Sequence, residues 1–404
     1  MSLQDTPAAE RICIGFFGLR NAGKSSLVNR ITNQPMSVVS SVKGTTTDPV
    51  RKSMELLPLG PVTIVDTPGF DDEGDLGELR IQRTREVLSV CDIAVLVTEA
   101  GRALLPDEEK LLALMEARGI PRIIACNKAD LSAENKIQGS LLVSAATGDG
   151  IEALKNAIAA SLQGKRKEIR FVADLIKKND FVVLVTPIDS SAPKGRMILP
   201  QQQAIRDILD AGAVSLVTGV DTLQTTLASL SVPPALVITD SQVFGQVMKL
   251  VPASLPLTSF SILMARYKGF LSEAVRGASA LDALPDGAHV LIAEGCTHHR
   301  QCEDIGTVKL PGWLKKHTGK DLQFTFTSGH GFPEDLTGFD CIIHCGGCML
   351  HDNEMRLRME RAVKAGVPFT NYGTAIAHMH GILARSIAPL SERNSIDGKI
   401  LLKN

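Results

Sequence analysis

Apolar residues are distributed along this chain in short unbroken runs, each followed by a turn and then by a stretch of helical periodicity. Such runs lack the strict alternation of a half-exposed strand. They predict strands covered on both faces, as in a parallel sheet flanked by helices. Arg11–Phe17, Val62–Asp66 and Arg122–Asn127 predict them early in the chain, and Asp180–Pro187, Ala213–Thr218 and Ala235–Thr239 in the middle. Ala288–Gly295 and Phe339–Ile343 predict them in the last third. Leu199–Asp210 predicts a helix with Pro200 in its first turn and Ile205, Ile208 and Leu209 on one face. The fold class is α/β, in three consecutive domains over residues 1–165, 166–265 and 266–404, with a charged hinge at Gly164–Glu168.

Composition narrows the class. A chain of 404 residues has room for two or three domains. It is 44% hydrophobic but only 4% aromatic, so its cores are built from Ala, Val, Leu and Ile. Lys and Arg number 43 against 44 Asp and Glu, a net charge of −1 that offers no global attraction to nucleic acid or an anionic membrane. No apolar run approaches the ~20 residues of a membrane span, and Met1–Pro7 lacks the features of a signal peptide. The expected location is the cytoplasm. Of eight cysteines, Cys13, Cys91 and Cys126 stand singly among apolar neighbours, as buried thiols do. Cys296, Cys302, Cys341, Cys345 and Cys348 crowd the last third, which in a reducing compartment suggests metal or redox chemistry.

The first candidate chemistry lies in Gly18-Leu-Arg-Asn21-Ala22-Gly23-Lys24-Ser25-Ser26, between a predicted strand and a helical pattern. This is the setting of a phosphate-binding loop: glycines let backbone N–H groups turn towards phosphate oxygens, Lys24 reaches the terminal phosphates, and the Ser25 hydroxyl ligates Mg²⁺. A hydroxyl of Thr45-Thr46-Thr47, with Thr46 the expected ligand, can reach a second Mg²⁺ position and sense the γ-phosphate. Asp66 would hold Mg²⁺ through water, and the Gly69 N–H would meet the γ-phosphate. After the Arg122 strand come Asn127, Lys128 and Asp130, whose carboxylate can accept both guanine N1–H and N2–H₂. Ser144, Ala145 and Ala146 supply further contacts to the base.

In this order, each at a predicted strand end, these motifs resemble a Ras-like P-loop GTPase domain that binds and hydrolyses GTP. Asn21 within Asn-Ala-Gly-Lys-Ser-Ser-Leu, and Gly44-Thr-Thr-Thr-Asp48, are similar to the TrmE–Era branch of such enzymes. Phe70 stands where Ras-like enzymes place a water-orienting Gln. The resemblance implies that a K⁺ ion, held partly by Asn21, assists hydrolysis, with Lys24, Thr46, Asp66 and Gly69 completing the catalytic set. One of Asp71, Asp72 and Glu73 could order the attacking water.

The middle domain shows no cluster of acids, His or Cys, and is expected to be a structural or dimerisation module. In the last domain, Cys296-Thr-His298-His299 follows one predicted strand and His344-Cys345-Gly-Gly-Cys348 follows another. Strand ends of a parallel sheet share one crevice, so thiolates distant in sequence can converge there. Cys296, Cys345 and Cys348 with one His suit a tetrahedral Zn²⁺ site, and three thiolates with an exchangeable fourth position equally suit a [4Fe–4S] cluster. Cys341, inside a strand, and Cys302 are expected to be structural or peripheral, although Cys302 is close enough to Cys296 in sequence to stay open as a ligand; His378 and His380 read as packing or surface groups.

Cys-x-His and a later His-Cys-x-x-Cys behind a TrmE–Era-like domain, with Pro311-Gly-Trp-Leu314, Gly329-His-Gly-Phe-Pro-Glu-Asp335 and Asn371-Tyr-Gly373, resemble the HydF family of [FeFe]-hydrogenase maturation GTPases. The resemblance covers the whole chain. It implies a homodimer whose Cys296, Cys345 and Cys348 hold a [4Fe–4S] cluster, with His298 or His344 as candidates for the fourth ligand. It further implies a scaffold that receives a diiron subcluster precursor from radical-SAM maturases and delivers it to apo-[FeFe]-hydrogenase. The rival is a zinc-containing RNA-modification or ribosome-assembly GTPase of the Era branch, against which stands the lack of an RNA-binding GXXG module or a basic stripe.

Overall fold

A computed structural model describes residues 11–33, 50–57, 59–67, 69, 84–132, 134–162, 170–187, 197–295, 305–329 and 331–391. The chain forms two compact units, Met1–Lys167 and Glu168–Asn404.

The first unit is built on a six-stranded sheet of β1 (Ile12–Phe17), β2 (Val50–Leu56), β3 (Gly60–Asp66), β4 (Ile93–Glu99), β5 (Arg122–Asn127) and β6 (Leu141–Leu142), in the order β2-β3-β1-β4-β5-β6. All neighbours are parallel except β2, which runs antiparallel to β3. β1 shows why its sequence is apolar throughout. Ile14 and Phe16 enter the core on one face, and Cys13 and Phe17 enter the core on the other. β2, an edge strand covered on one side, instead alternates half-buried Val50, Lys52 and Met54 with exposed Arg51, Ser53 and Glu55. From β1 the chain adds β3 on one side and β4 on the other. A ligand crevice opens at such a reversal, beyond the carboxyl end of β1.

The second unit holds two four-stranded parallel sheets. One comprises β7 (Phe181–Val185), β8 (Val214–Thr218), β9 (Leu236–Thr239) and β10 (Leu257–Ser259), ordered β10-β9-β7-β8. The other comprises β11 (His289–Glu294), β12 (Gln323–Ser328), β13 (Cys341–His344) and β14 (Phe369–Asn371), ordered β12-β11-β13-β14. A single apolar core runs through both, from Val183 and Ile238 to Val290, Ile343 and Ile376. A boundary at residue 265 falls inside the helix Phe260–Tyr267, whose Ile262, Leu263 and Met264 belong to that shared core. The helix Leu199–Asp210 forms over the expected residues, with Ala204 and Ile208 buried. Leu209, expected on the same face, is instead 57% exposed, because one further residue turns it about 100° past the buried stripe.

Among the described residues no helix is long and apolar enough to cross a membrane.

Candidate functional site

The phosphate-binding loop leaves β1 and enters the helix Lys24–Thr32. Gly18 and Gly23 take φ of 146° and 85°, and Asn21 takes φ 62°, conformations that turn successive N–H groups inward. A side chain at Gly18 would strike the Val97 carbonyl, and one at Gly23 the Asn127 amide. Lys24, almost fully buried, donates from Nζ to the Gly18 and Leu19 carbonyls at 2.9 and 2.8 Å, which fixes its charge at the loop. Ser25 Oγ donates to Asp66 Oδ2 at 2.6 Å, so the two residues expected at Mg²⁺ already touch. Gly69 lies just past β3, and Ala22 and Ser26 lie within the loop and its helix. Thr45, Thr46 and Asp71–Glu73 lie outside the described residues.

The residues expected to recognise the base stand at the ends of β5 and β6. Asn127 Nδ2 donates to the Ala22 carbonyl at 3.0 Å, and its Oδ1 accepts from the Ala145 N–H at 3.0 Å. One buried amide thus ties the phosphate loop to the base loop. Asp130 Oδ1 accepts from Ser144 Oγ at 2.6 Å, which fixes the carboxylate beside Ala145 and Ala146. Lys128, at φ 64°, pairs with Glu99.

In the second unit, β11 and β13 are neighbours, with Ala293 opposite His344, so the segments that follow them begin side by side. The Gly295 N–H donates to Cys345 Sγ at 3.1 Å and the Gly347 N–H to the same sulfur at 3.4 Å. Gly347 takes φ 68°, and a side chain there would strike Met355. Cys345 and Cys348 are both half-buried. Burial pushes the Cys348 thiol up, while the nearby Lys268 ammonium works in the other direction. That ammonium is buried and donates to the Leu350 carbonyl at 2.6 Å and to Asp352 at 2.9 Å, so it also pins the chain just after Cys348. Cys341 is fully buried in β13, and burial pushes it up to about 12, which keeps it a thiol. Cys296, His298 and Cys302 lie outside the described residues.

His344 is the residue whose setting differs most from its place in the sequence motif. It is the last residue of β13 and fully buried. Its Nδ1 meets the Cys345 carbonyl at 2.8 Å and its Nε2 meets the Arg358 guanidinium at 3.0 Å. A guanidinium only donates, so Nε2 is the acceptor and Nδ1 carries the proton. Burial, with the Arg358 charge adding to it, pushes His344 down to about 3, so the ring is neutral near pH 7. Both nitrogens are engaged, and neither faces outward for a metal.

Arg358, which the sequence pattern did not single out, organises this region. It is 3% exposed, donates to the Gly329 carbonyl at 2.6 Å, pairs with Glu354 one turn earlier, and lies 5.2 Å over the Phe332 ring. The one signal available was the Glu354–Arg358 spacing, which also occurs on exposed helices. Removing one partner of a buried pair strands the other charge. Arg358→Leu is therefore expected to destabilise the protein by about 3–4 kcal/mol, read as a lower urea midpoint at unchanged slope. A shift no larger than that of an exposed substitution would contradict the assignment. The Asn371-Tyr-Gly373 motif is a second clamp. Asn371 caps the helix Tyr372–Met379 and donates to the Ser261 carbonyl at 2.9 Å, and Tyr372 OH reaches Glu294, two residues before Cys296, at 3.2 Å.

Three family models match the chain: a 50S ribosome-binding GTPase over residues 13–128, a hydrogen maturase F dimerization domain over 171–269, and a hydrogen maturase F tetramerization domain over 272–389. The tRNA modification GTPase MnmE of Prochlorococcus marinus is 36% identical over 156 residues, which are 36% of this chain and 33% of that protein. GTPase Der of Sulfurimonas denitrificans is 37% identical over 131 residues, 32% of this chain and 26% of that one. The chain therefore spans a third or less of the length of these relatives. An Era variant of Aquifex aeolicus, solved with GDP·AlF₄⁻, is 16% identical with a TM-score of 0.35, over 51% of this chain and 92% of that one. The first unit is a P-loop GTPase domain, and the second carries oligomerisation domains.

Proposed function

Since the chain belongs to the hydrogen maturase F family, we propose that it is a GTP-hydrolysing scaffold that binds a [4Fe–4S] cluster and carries a diiron precursor to apo-[FeFe]-hydrogenase. The observation that carries this reading is the Gly295 N–H on Cys345 Sγ. The residue after Gly295 is Cys296, and consecutive Cα atoms are about 3.8 Å apart. The Glu294–Gly295 peptide, which directly precedes Cys296 in the sequence, therefore lies against the Cys345 sulfur, with Cys348 three residues after Cys345 on its own loop.

The donor set fits the group. Two backbone N–H groups already point at the Cys345 sulfur, as a thiolate ligand requires, and the buried Lys268 ammonium offsets negative charge near Cys348. Cys296, Cys345 and Cys348 would hold the cluster. When bound, it supplies an iron with an exchangeable fourth position, at which the diiron precursor can dock. His344 holds the loop through the Cys345 carbonyl rather than serving as that ligand, which leaves the fourth position to His298 or to the cargo.

In the first unit, Lys24 and the loop N–H groups bind the phosphates, Ser25 and Thr46 ligate Mg²⁺ with Asp66 acting through water, and Asn21 contributes to K⁺. Hydrolysis biases loop conformations rather than performing cluster chemistry, and it shifts partner affinity only as far as GTP and GDP forms bind partners differently. The middle sheet would provide the homodimer contact, radical-SAM maturases would supply the precursor, and the protein would act in the cytoplasm. The test is activation of apo-hydrogenase. The chain loaded with the diiron precursor is expected to yield hydrogen-evolving enzyme, with Cys345→Ala and Cys348→Ala each losing most of that yield. Equal activation by wild type and both variants would overturn the proposal.

A further inference from the structure

Outside the cysteine loops, three chain-distant residues of the second unit converge: Asp282, His317 and His378. Asp282 lies in the 3₁₀ turn Ala280–Ala283, His317 in the last turn of the helix Leu310–Thr318, and His378 in the last turn of the helix Tyr372–Met379. His317 Nε2 meets Asp282 Oδ1 at 2.7 Å, and His378 Nε2 meets Asp282 Oδ2 at 3.0 Å. The two rings are edge-on, with centroids 5.8 Å apart and planes at 67°. All three donor atoms lie within 4.8 Å of one another. Bonds of about 2.0–2.2 Å to one ion hold its ligand atoms within about 4 Å of each other, so small side-chain adjustments suffice to close the set.

The electrostatics favour a cation at this point for two reasons. The two His-bearing turns end their helices, where backbone carbonyls concentrate partial negative charge, and the Asp282 carboxylate sits between them. The His317 and His378 hydrogen bonds hold that carboxylate below its usual range, hence ionised. Lys315, two residues before His317, is paired with Asp321, which offsets its charge.

We propose that Asp282, His317 and His378 form a labile site for a first-row divalent cation such as Zn²⁺ or Fe²⁺. Two imidazoles and one carboxylate favour these ions over Mg²⁺ or Ca²⁺, which prefer all-oxygen sets. The side chains remain accessible, at 58% for Asp282, 24% for His317 and 19% for His378. The remaining coordination positions therefore belong to water, and the ion exchanges with solvent instead of being locked in as at a closed four-ligand site. Bound there, it would staple the 3₁₀ turn to both helices.

The test uses the full-length chain with Cys296, Cys345 and Cys348 replaced by Ser, so that thiolates do not compete. Zn²⁺ titration is expected to show one site per chain, with Tm rising as Zn²⁺ rises because the ion binds the folded form. Co²⁺ at the same site is expected to give visible bands without thiolate charge transfer. His317→Ala and His378→Ala should each weaken Zn²⁺ binding at least 10-fold. His317→Gln separates a metal site from a hydrogen-bonded clamp, since its amide can still donate to Asp282 but ligates poorly. It should retain the metal-free Tm and lose the Zn²⁺ response. A Tm indifferent to Zn²⁺, or an isotherm unchanged in His317→Ala and His378→Ala, would overturn the proposal.

Discussion

Asp130→Asn is expected to lower GTP affinity by about 10³-fold and to let xanthosine triphosphate bind in its place. The Asp130 carboxylate is held by the 2.6 Å bond from Ser144 Oγ beside the Ala145 and Ala146 backbone. An ionised carboxylate only accepts, and guanine offers it two adjacent donors, N1–H and N2–H₂. Each hydrogen bond to a charged group contributes roughly 1.5–3 kcal/mol, so losing the pair amounts to about two to four powers of ten. An Asn amide presents one acceptor and one donor. Xanthine carries an oxygen where guanine carries its amino group, so it matches the amide and mismatches the carboxylate. Competition binding with fluorescent GTP reads both halves of the prediction. Asp130→Asn that keeps GTP affinity within a few-fold of wild type would contradict the assignment of base recognition to this residue.

Lys24→Ala is expected to reduce the GTP hydrolysis rate by on the order of 10³-fold. Lys24 is the charged group of the phosphate loop, fixed in advance by the Gly18 and Leu19 carbonyls. Because it is held in place by the fold, little reorganisation is required as charge develops on the transferring phosphoryl group. Removing it also deletes the ammonium's bonds to the Gly18 and Leu19 carbonyls, so the variant should unfold at a somewhat lower temperature. A circular dichroism melt therefore accompanies the assay. Single-turnover hydrolysis at saturating nucleotide separates the rate effect from weaker binding. A folded Lys24→Ala protein with near wild-type turnover would remove Lys24 from the machinery.

How legible the molecule was depends on how local each feature is. The phosphate loop, Asp66, and the Asn127–Asp130 and Ser144–Ala146 segments could all be read from sequence, because each is a contiguous motif at the end of an apolar run, and the strands formed where those runs predicted them. Asn127 carried less information than its role: its amide bridges Ala22 and Ala145, contacts that exist only once β1, β5 and β6 lie side by side. β2 was missed because its half-buried face includes Lys52, which disguises the alternation of an edge strand. Arg358 was missed for a related reason. A Glu–Arg pair four residues apart has the sequence signature of a solvent-exposed helix, and only the packing of Phe332, His344 and Gly329 around it makes it a buried charge. Likewise, nothing local in His344-Cys345-Gly-Gly-Cys348 reveals that the histidine turns inward, since that depends on a partner fourteen residues away on another element. The Asp282, His317 and His378 cluster follows the same rule, being assembled from three segments that share no motif.

The most direct measurement is anaerobic purification and reconstitution with iron and sulfide, followed by metal analysis and EPR of the dithionite-reduced protein. The expected result is about four irons per chain and the signal of a reduced [4Fe–4S] cluster, lost in each of Cys296→Ala, Cys345→Ala and Cys348→Ala. One tightly held zinc on these cysteines, with no cluster formed after its removal and reconstitution, would contradict it.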